Sequence, residues 1–96
     1  METIKKTATQ ELKETVPYML SEDYKERFKA EYYQTKIRYE RLKKYNTRIE
    51  ASLAIGNSCL MPKHDCPHSM LREQQRMMGE YLHILEVRAV IEDIDL

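Results

Sequence analysis

The stretch YKERFKAEYYQTKIRYERLKKY, residues 24–45, decides the fold because a single helical repeat runs through it. Aromatic, apolar and a few polar residues recur there at alternating intervals of four and three, and the pattern continues to residue 53. A repeat of about 3.5 residues is typical of a coiled-coil seam. The predicted seam consists of Phe28, Tyr32, Thr35, Tyr39, Leu42, Asn46, Ile49 and Leu53.

Capping signals on both sides of this repeat predict a long helix over about residues 22–55. Ser21 is the expected N-cap, and Glu22 and Asp23 bring negative charge to the first turn, where the helix dipole favours it. Gly56 and Asn57 are typical of a helix end. Such a helix would be roughly 50 Å long at about 1.5 Å per residue.

A second helix is predicted over about residues 67–93, after a loop at about 56–66 that contains Pro62. Pro67 suits the first helical position, with Asp65 or Cys66 as its cap. The second seam consists of Leu71, Gln74, Met78, Tyr81, Leu85 and Arg88, flanked by Met70, Met77, Ile84 and Ile91. Its apolar face is therefore wider than one seam.

Two helices of matching period joined by a short loop predict an all-α fold, an antiparallel helical hairpin over residues 21–96. Residues 1–20 are interpreted as an N-terminal arm, in which TATQELKET forms at most a short helix that stops near Val16 because Pro17 follows. Since a lone hairpin leaves much apolar surface in water, we expect it to assemble into an oligomeric bundle.

Charge and hydropathy exclude several classes of function. Sixteen acids balance sixteen bases, which makes general nucleic-acid binding unlikely. No run approaches the roughly 18 apolar residues of a membrane span, and the N-terminus is unlike a signal peptide, so we expect a cytoplasmic protein without a membrane partner. The two cysteines are expected to be free thiols.

The charge is unevenly distributed along the first helix. Nine Lys or Arg stand against three Glu between Lys25 and Arg48. Helical spacing assigns most of its aromatic residues to the core, whereas Tyr33 and Ile37 are expected across the helix from the seam. Aromatic rings beside cations suit a phosphate-bearing ligand, although a subunit interface or a solvated face remains an alternative. The candidate ligand residues are Tyr33, Arg38, Arg41, Lys44, Tyr45 and Arg48.

Three polar residues occupy seam positions, namely Asn46, Gln74 and Arg88. Buried polar groups of this kind often fix helix register or oligomeric state, and we interpret Asn46 and Gln74 in this way. Arg88 is added to the candidate ligand residues because a guanidinium recognises phosphate through two parallel hydrogen bonds.

The remaining chemistry-bearing residues predict no active site and no cofactor. Cys59, His64, Cys66 and His68 are of zinc-ligand type, but their spacing matches no common zinc motif, and loop residues are the favoured interpretation. Glycine-rich phosphate loops, nucleophile elbows and the H-E-x-x-H motif are all absent from the sequence. We therefore expect a binding protein rather than an enzyme.

The segments DYKERFKAEYYQTKIRYERL, 23–42, and CPHSMLREQQRMMGEYLHILEVRAVIEDIDL, 66–96, resemble a group of short bacteriophage proteins found in crAss-like and other tailed phages. Thr35 departs from the group's pattern, which has leucine there. The more specific second pattern falls on Cys66, Pro67, Leu71, Gln74, Met78, Tyr81, Leu82, Ile84, Leu85, Arg88, Ala89, Ile91 and Glu92.

By analogy with small helical phage proteins that trap nucleotide immune signals, the resemblance suggests an anti-defence function. The leading hypothesis is a homo-oligomer that sequesters a cyclic oligonucleotide or a cyclic ADP-ribose isomer in pockets between subunits. The alternative is a helical module that binds and inhibits a host protein through its apolar outer face and the arm around Pro17, Tyr18 and Met19.

Overall fold

The computed structural model describes residues 12–96, and each regular element in that range is helical. A 3-10 turn, Leu12–Thr15, leads into a short helix, α1, at Val16–Met19. The long helix α2 spans Tyr24–Ile55, a second 3-10 turn spans Ser58–Leu60, and α3 spans His68–Ile91. The expected all-α class is therefore confirmed.

The ends of α2 are fixed by local hydrogen bonds and backbone geometry. Asp23, rather than the expected Ser21, is the N-cap, since its Oδ1 accepts a hydrogen bond from the Lys25 N–H at 3.0 Å. The Ser21 hydroxyl instead accepts from the Asp23 N–H at 3.1 Å and so supports the turn before the helix. Gly56 ends α2 with φ of 67°, a left-handed conformation that favours glycine.

The segment before α2 is a packed part of the fold, so the expectation of a helix that stops near Val16 is wrong. Pro17 lies in the first turn of α1, where its missing N–H needs no partner. Thr15 and Tyr18 are buried, and the Thr15 hydroxyl accepts a hydrogen bond from Gln34 of α2 at 2.8 Å. Residues 1–11 of the predicted arm lie outside the described residues.

Helix α3 begins one residue later than expected, with Pro67 at the N-cap position rather than inside the helix. Asp93, just after the C-terminus of α3, adopts a left-handed conformation with φ of 57°. The Ile94 N–H then donates to the carbonyl of Ala89 at 2.8 Å, a pairing that satisfies a free helix-end acceptor. This turn brings the buried side chain of Ile94 back onto the core.

Helices α2 and α3 run antiparallel, as contacts at two levels show. Near the start of α2, the Tyr32 hydroxyl donates to Glu86 at 2.6 Å. Further along, Asn46 Nδ2 donates to the carbonyl of Leu71 at 3.1 Å. Residues further along α2 therefore contact residues earlier in α3.

Two stripes of α2 are buried, against α3 and against α1, rather than the one predicted seam. Phe28 and Tyr32 belong to the first stripe, and Tyr33 to the second. The predicted seam residue Leu53 is 62% exposed. Asn46 is level with Leu71, close to the start of α3 at His68, so Leu53, two turns further along α2, lies beyond the end of α3 and has no residue of that helix to pack against.

Within residues 12–96, no helix combines the length and the apolar character that crossing a membrane requires.

Candidate functional site

The cationic residues of α2 form a strip on its outer side, which we define as Arg38, Arg41, Lys44 and Arg48. All four side chains are exposed. At about 100° per residue, Lys44 and Arg48 project roughly opposite to Asn46, which contacts α3. The strip is about 15 Å long at about 1.5 Å per residue, enough for more than one phosphate group to contact it.

Three cations of the strip differ from the arginines of α3 in how their charges are paired. Within residues 12–96, the side chains of Arg38, Lys44 and Arg48 make no ion pair or hydrogen bond with another described residue. Each arginine of α3, by contrast, has a carboxylate partner; these pairs are Arg72 with Glu50, Arg76 with Glu73 and Glu80, and Arg88 with Glu92. Cations without internal partners are the ones available to an anionic ligand.

Tyr45 lies beside the strip and contacts the loop between α2 and α3. Its hydroxyl donates a hydrogen bond to the carbonyl of Lys63, and its ring packs edge-on against His64 with centroids 6.3 Å apart. The side chain is half-buried. Tyr45 therefore lies next to the strip, and one side of its ring contacts His64 of the loop.

Arg88 lies near the other end of the molecule from the strip. Its Nη2 donates to the Tyr24 hydroxyl at 2.6 Å, its Nε donates to Glu92 at 2.9 Å, and its guanidinium stands 5.0 Å from the centroid of the Phe28 ring. The hydrogen bond to Glu92 raises the pKa of Arg88. Within one chain, Arg88 therefore belongs to a separate cluster that joins the start of α2 to the end of α3.

Tyr33 was expected on the outer side of α2 but is 1% exposed, in the core beside Tyr18. The expected location is corrected because α1 covers this side of α2. Burial, followed by the charge of Asp95, raises the pKa of Tyr33 to about 12. Among the described residues its buried hydroxyl has no hydrogen-bond partner.

A groove between α2 and α3, of about 1120 Å³, was missed by the sequence analysis. Tyr39 and Gly79 both line this groove. They lie close together, since a Cβ atom on residue 79 would be 3.3 Å from the Tyr39 ring. Gln75 also lines it, held by Asn46 Nδ2, which donates to its Oε1 at 2.9 Å. A glycine inside a helical repeat is a signal that could have indicated this close approach.

The cysteine and histidine residues of the loop show no metal-binding arrangement. Within the described part of the chain, no three His, Cys, Asp or Glu side chains are grouped as metal ligands. Cys59 and Cys66 are free thiols, as expected. His64 Nδ1 lies 2.9 Å from the carbonyl oxygen of Pro62, a contact that orients the ring towards the loop.

Comparison with known proteins supplies the family. Neither the curated proteins nor the solved structures include a match to this chain. A family model described as Sequestin, however, matches residues 22–91, which include α2, the connecting loop and α3. Because that match spans well over half of the 96-residue chain, the protein belongs to the Sequestin family.

Proposed function

We propose that this protein is a bacteriophage anti-defence protein that sequesters a small nucleotide immune signal without turning it over. The family name indicates sequestration. The observation that carries the proposal is the cationic strip, in which Arg38, Lys44 and Arg48 have no internal partner within residues 12–96. A cyclic oligonucleotide or a cyclic ADP-ribose isomer would place its phosphate groups there.

The proposed pockets lie between subunits. The outer side of one helix forms a convex surface, and a small ligand is normally enclosed by a concave one. A neighbouring subunit would supply the missing wall, with the exposed part of Tyr45 available for stacking against a base. The protein would therefore act in the cytoplasm as a stoichiometric binder.

Calorimetry against a panel of cyclic di- and trinucleotides and cyclic ADP-ribose isomers tests the proposal. We expect one member to bind and to be recovered unchanged when the protein is denatured. The variant K44E/R48E should weaken binding at least about tenfold, because two favourable phosphate contacts become repulsive.

The matched control is K13E/K29E, which makes the same change in net charge at two lysines away from the strip. Its affinity should stay close to that of the wild-type protein. No binding across the panel, or an equal loss in both variants, would contradict the proposed site.

A further inference from the structure

The groove between α2 and α3 differs in its chemistry from the cationic strip. Its charged lining residues are Glu50, Arg72, Glu73, Arg76 and Glu80. Both arginines are already ion-paired, Arg72 with Glu50 at 3.7 Å and Arg76 with the other two glutamates. These five residues therefore carry a net charge of −1, and neither arginine is free for a phosphate group.

Tyr39 gives the groove an aromatic wall. Its side chain packs against the core and also lines the groove. Within residues 12–96, its ring contacts no other ring or cation and its hydroxyl makes no hydrogen bond. Any side chain at position 79 would touch this ring, so Gly79 keeps the space beside it open. An aromatic ring open to a groove is a stacking surface for a nucleobase.

Gln75 presents an amide of fixed polarity to the groove. The Leu71 carbonyl can only accept, so Asn46 must turn its Nδ2 towards it, at 3.1 Å. The same Nδ2 donates to Gln75 Oε1 at 2.9 Å, which in turn fixes the Gln75 amide. Gln75 Nε2 consequently points away from Asn46, and it has no hydrogen-bond partner in the described part of the chain.

The same pair of amides also includes an unsatisfied acceptor. Asn46 is 1% exposed, and its Oδ1 lacks a hydrogen-bond partner among residues 12–96. Buried polar atoms normally have such a partner, because leaving one unpaired destabilises the folded state. The two amides beside the groove therefore retain donors and an acceptor that the described chain does not use.

We propose that this groove is a binding site for the adenine ring of an uncharged nucleoside, separate from the strip. The base stacks on Tyr39, and Gln75 recognises its edge through two hydrogen bonds. Nε2 donates to N7 of the base, and the second lone pair of Oε1 accepts from the N6 amino group. Guanine has two acceptors at this edge, so the same amide can satisfy only one of them. The net negative lining disfavours a phosphate group here.

The groove and the strip lie on different sides of α2. At about 100° per residue, Tyr39 projects about 140° away from Lys44. A nucleoside in the groove and a phosphate group on the strip therefore do not compete within one chain. The site goes beyond the proposed function and does not depend on it.

Titration of the isotope-labelled full chain with adenosine and guanosine, followed by NMR spectroscopy, tests the site without any phosphate group. Adenosine should shift the side-chain amide resonances of Gln75 and leave those of the exposed Gln74 in place. Guanosine should bind at least about tenfold more weakly. No shift at Gln75 with millimolar adenosine, or equal affinities for the two nucleosides, would overturn the proposal.

The variant Gln75→Glu replaces the Nε2 donor by oxygen, while an oxygen still faces Asn46 Nδ2. It should weaken adenosine binding about tenfold. The matched control is Gln74→Glu, the same substitution at a neighbouring position that does not line the groove. Its affinity should stay close to that of the wild-type protein. An equal loss in both variants would contradict the role of Gln75.

The variant Tyr39→Leu tests the stacking surface. Leucine keeps an apolar side chain against the core, so circular dichroism should show an unchanged helix content, whereas adenosine binding should weaken about tenfold. Undiminished affinity would mean that the base does not lie on Tyr39. Adenosine binding without binding of any cyclic nucleotide would contradict only the proposed function. Binding of a cyclic nucleotide without an adenosine shift at Gln75 would contradict only this site.

Discussion

Two adjacent tyrosines of α2 offer a sharp test of how the core is built. Tyr32 and Tyr33 are both buried, with their rings edge-on at 5.0 Å. The Tyr32 hydroxyl donates a hydrogen bond to Glu86 at 2.6 Å, whereas the Tyr33 hydroxyl has no partner among the described residues. Replacing each tyrosine by phenylalanine removes one oxygen atom and leaves the ring.

The two substitutions should change stability in opposite directions. A buried hydroxyl without a partner costs about 1–3 kcal/mol, so Tyr33→Phe should raise the free energy of unfolding by about 1 kcal/mol. Tyr32→Phe removes a hydrogen bond to a half-exposed carboxylate and should lower that free energy by about 1 kcal/mol. For a domain of this size each kcal/mol shifts Tm by about 4–8 °C.

Thermal unfolding followed by circular dichroism measures both shifts, with urea unfolding as an independent check. The two variants should differ in Tm by roughly 10 °C, and Tyr33→Phe should be the more stable. If Tyr33→Phe is as destabilising as Tyr32→Phe, the Tyr33 hydroxyl has a hydrogen-bond partner and the reasoning is wrong. The same variant should keep its nucleotide affinity, because Tyr33 lies in the core.

Alkaline unfolding and the ends of the helices give further predictions. Burial raises the pKa of Tyr33 to about 12, so the free energy of unfolding should not depend on its ionisation below about pH 10 and should fall as the pH rises towards 12. Tyr33→Phe should flatten that decline in a urea series. Asp23→Ala removes the N-cap of α2 and should cost about 1 kcal/mol, while Ser21→Ala should cost less. Gly56→Ala should cost about 1 kcal/mol because φ there is 67°. Asp93→Asn should stabilise by a few tenths of a kcal/mol, since it removes a negative charge from the end of α3 and tolerates φ of 57°.

Helix content and the C-terminal end of α2 were predictable because they depend on local chemistry. The end of α2 at Gly56 follows from the left-handed conformation that glycine adopts readily. The role of Pro17 was not predictable in the same way. Proline disfavours the helical region for the residue before it, yet it also suits a first turn, and the packing of Tyr18 against α2 decided between these outcomes.

The candidate site was predictable in its charges but not in its aromatic residues. Exposed cations stay on the surface wherever the helix is placed, so Lys44 and Arg48 are found on the outer side as expected. The position of Tyr33 depends on which second element covers α2, and the sequence repeat carries no information about α1. Arg88 likewise donates hydrogen bonds to Tyr24 and Glu92. Its position in the sequence repeat does not predict these contacts, because they depend on how α2 and α3 pack.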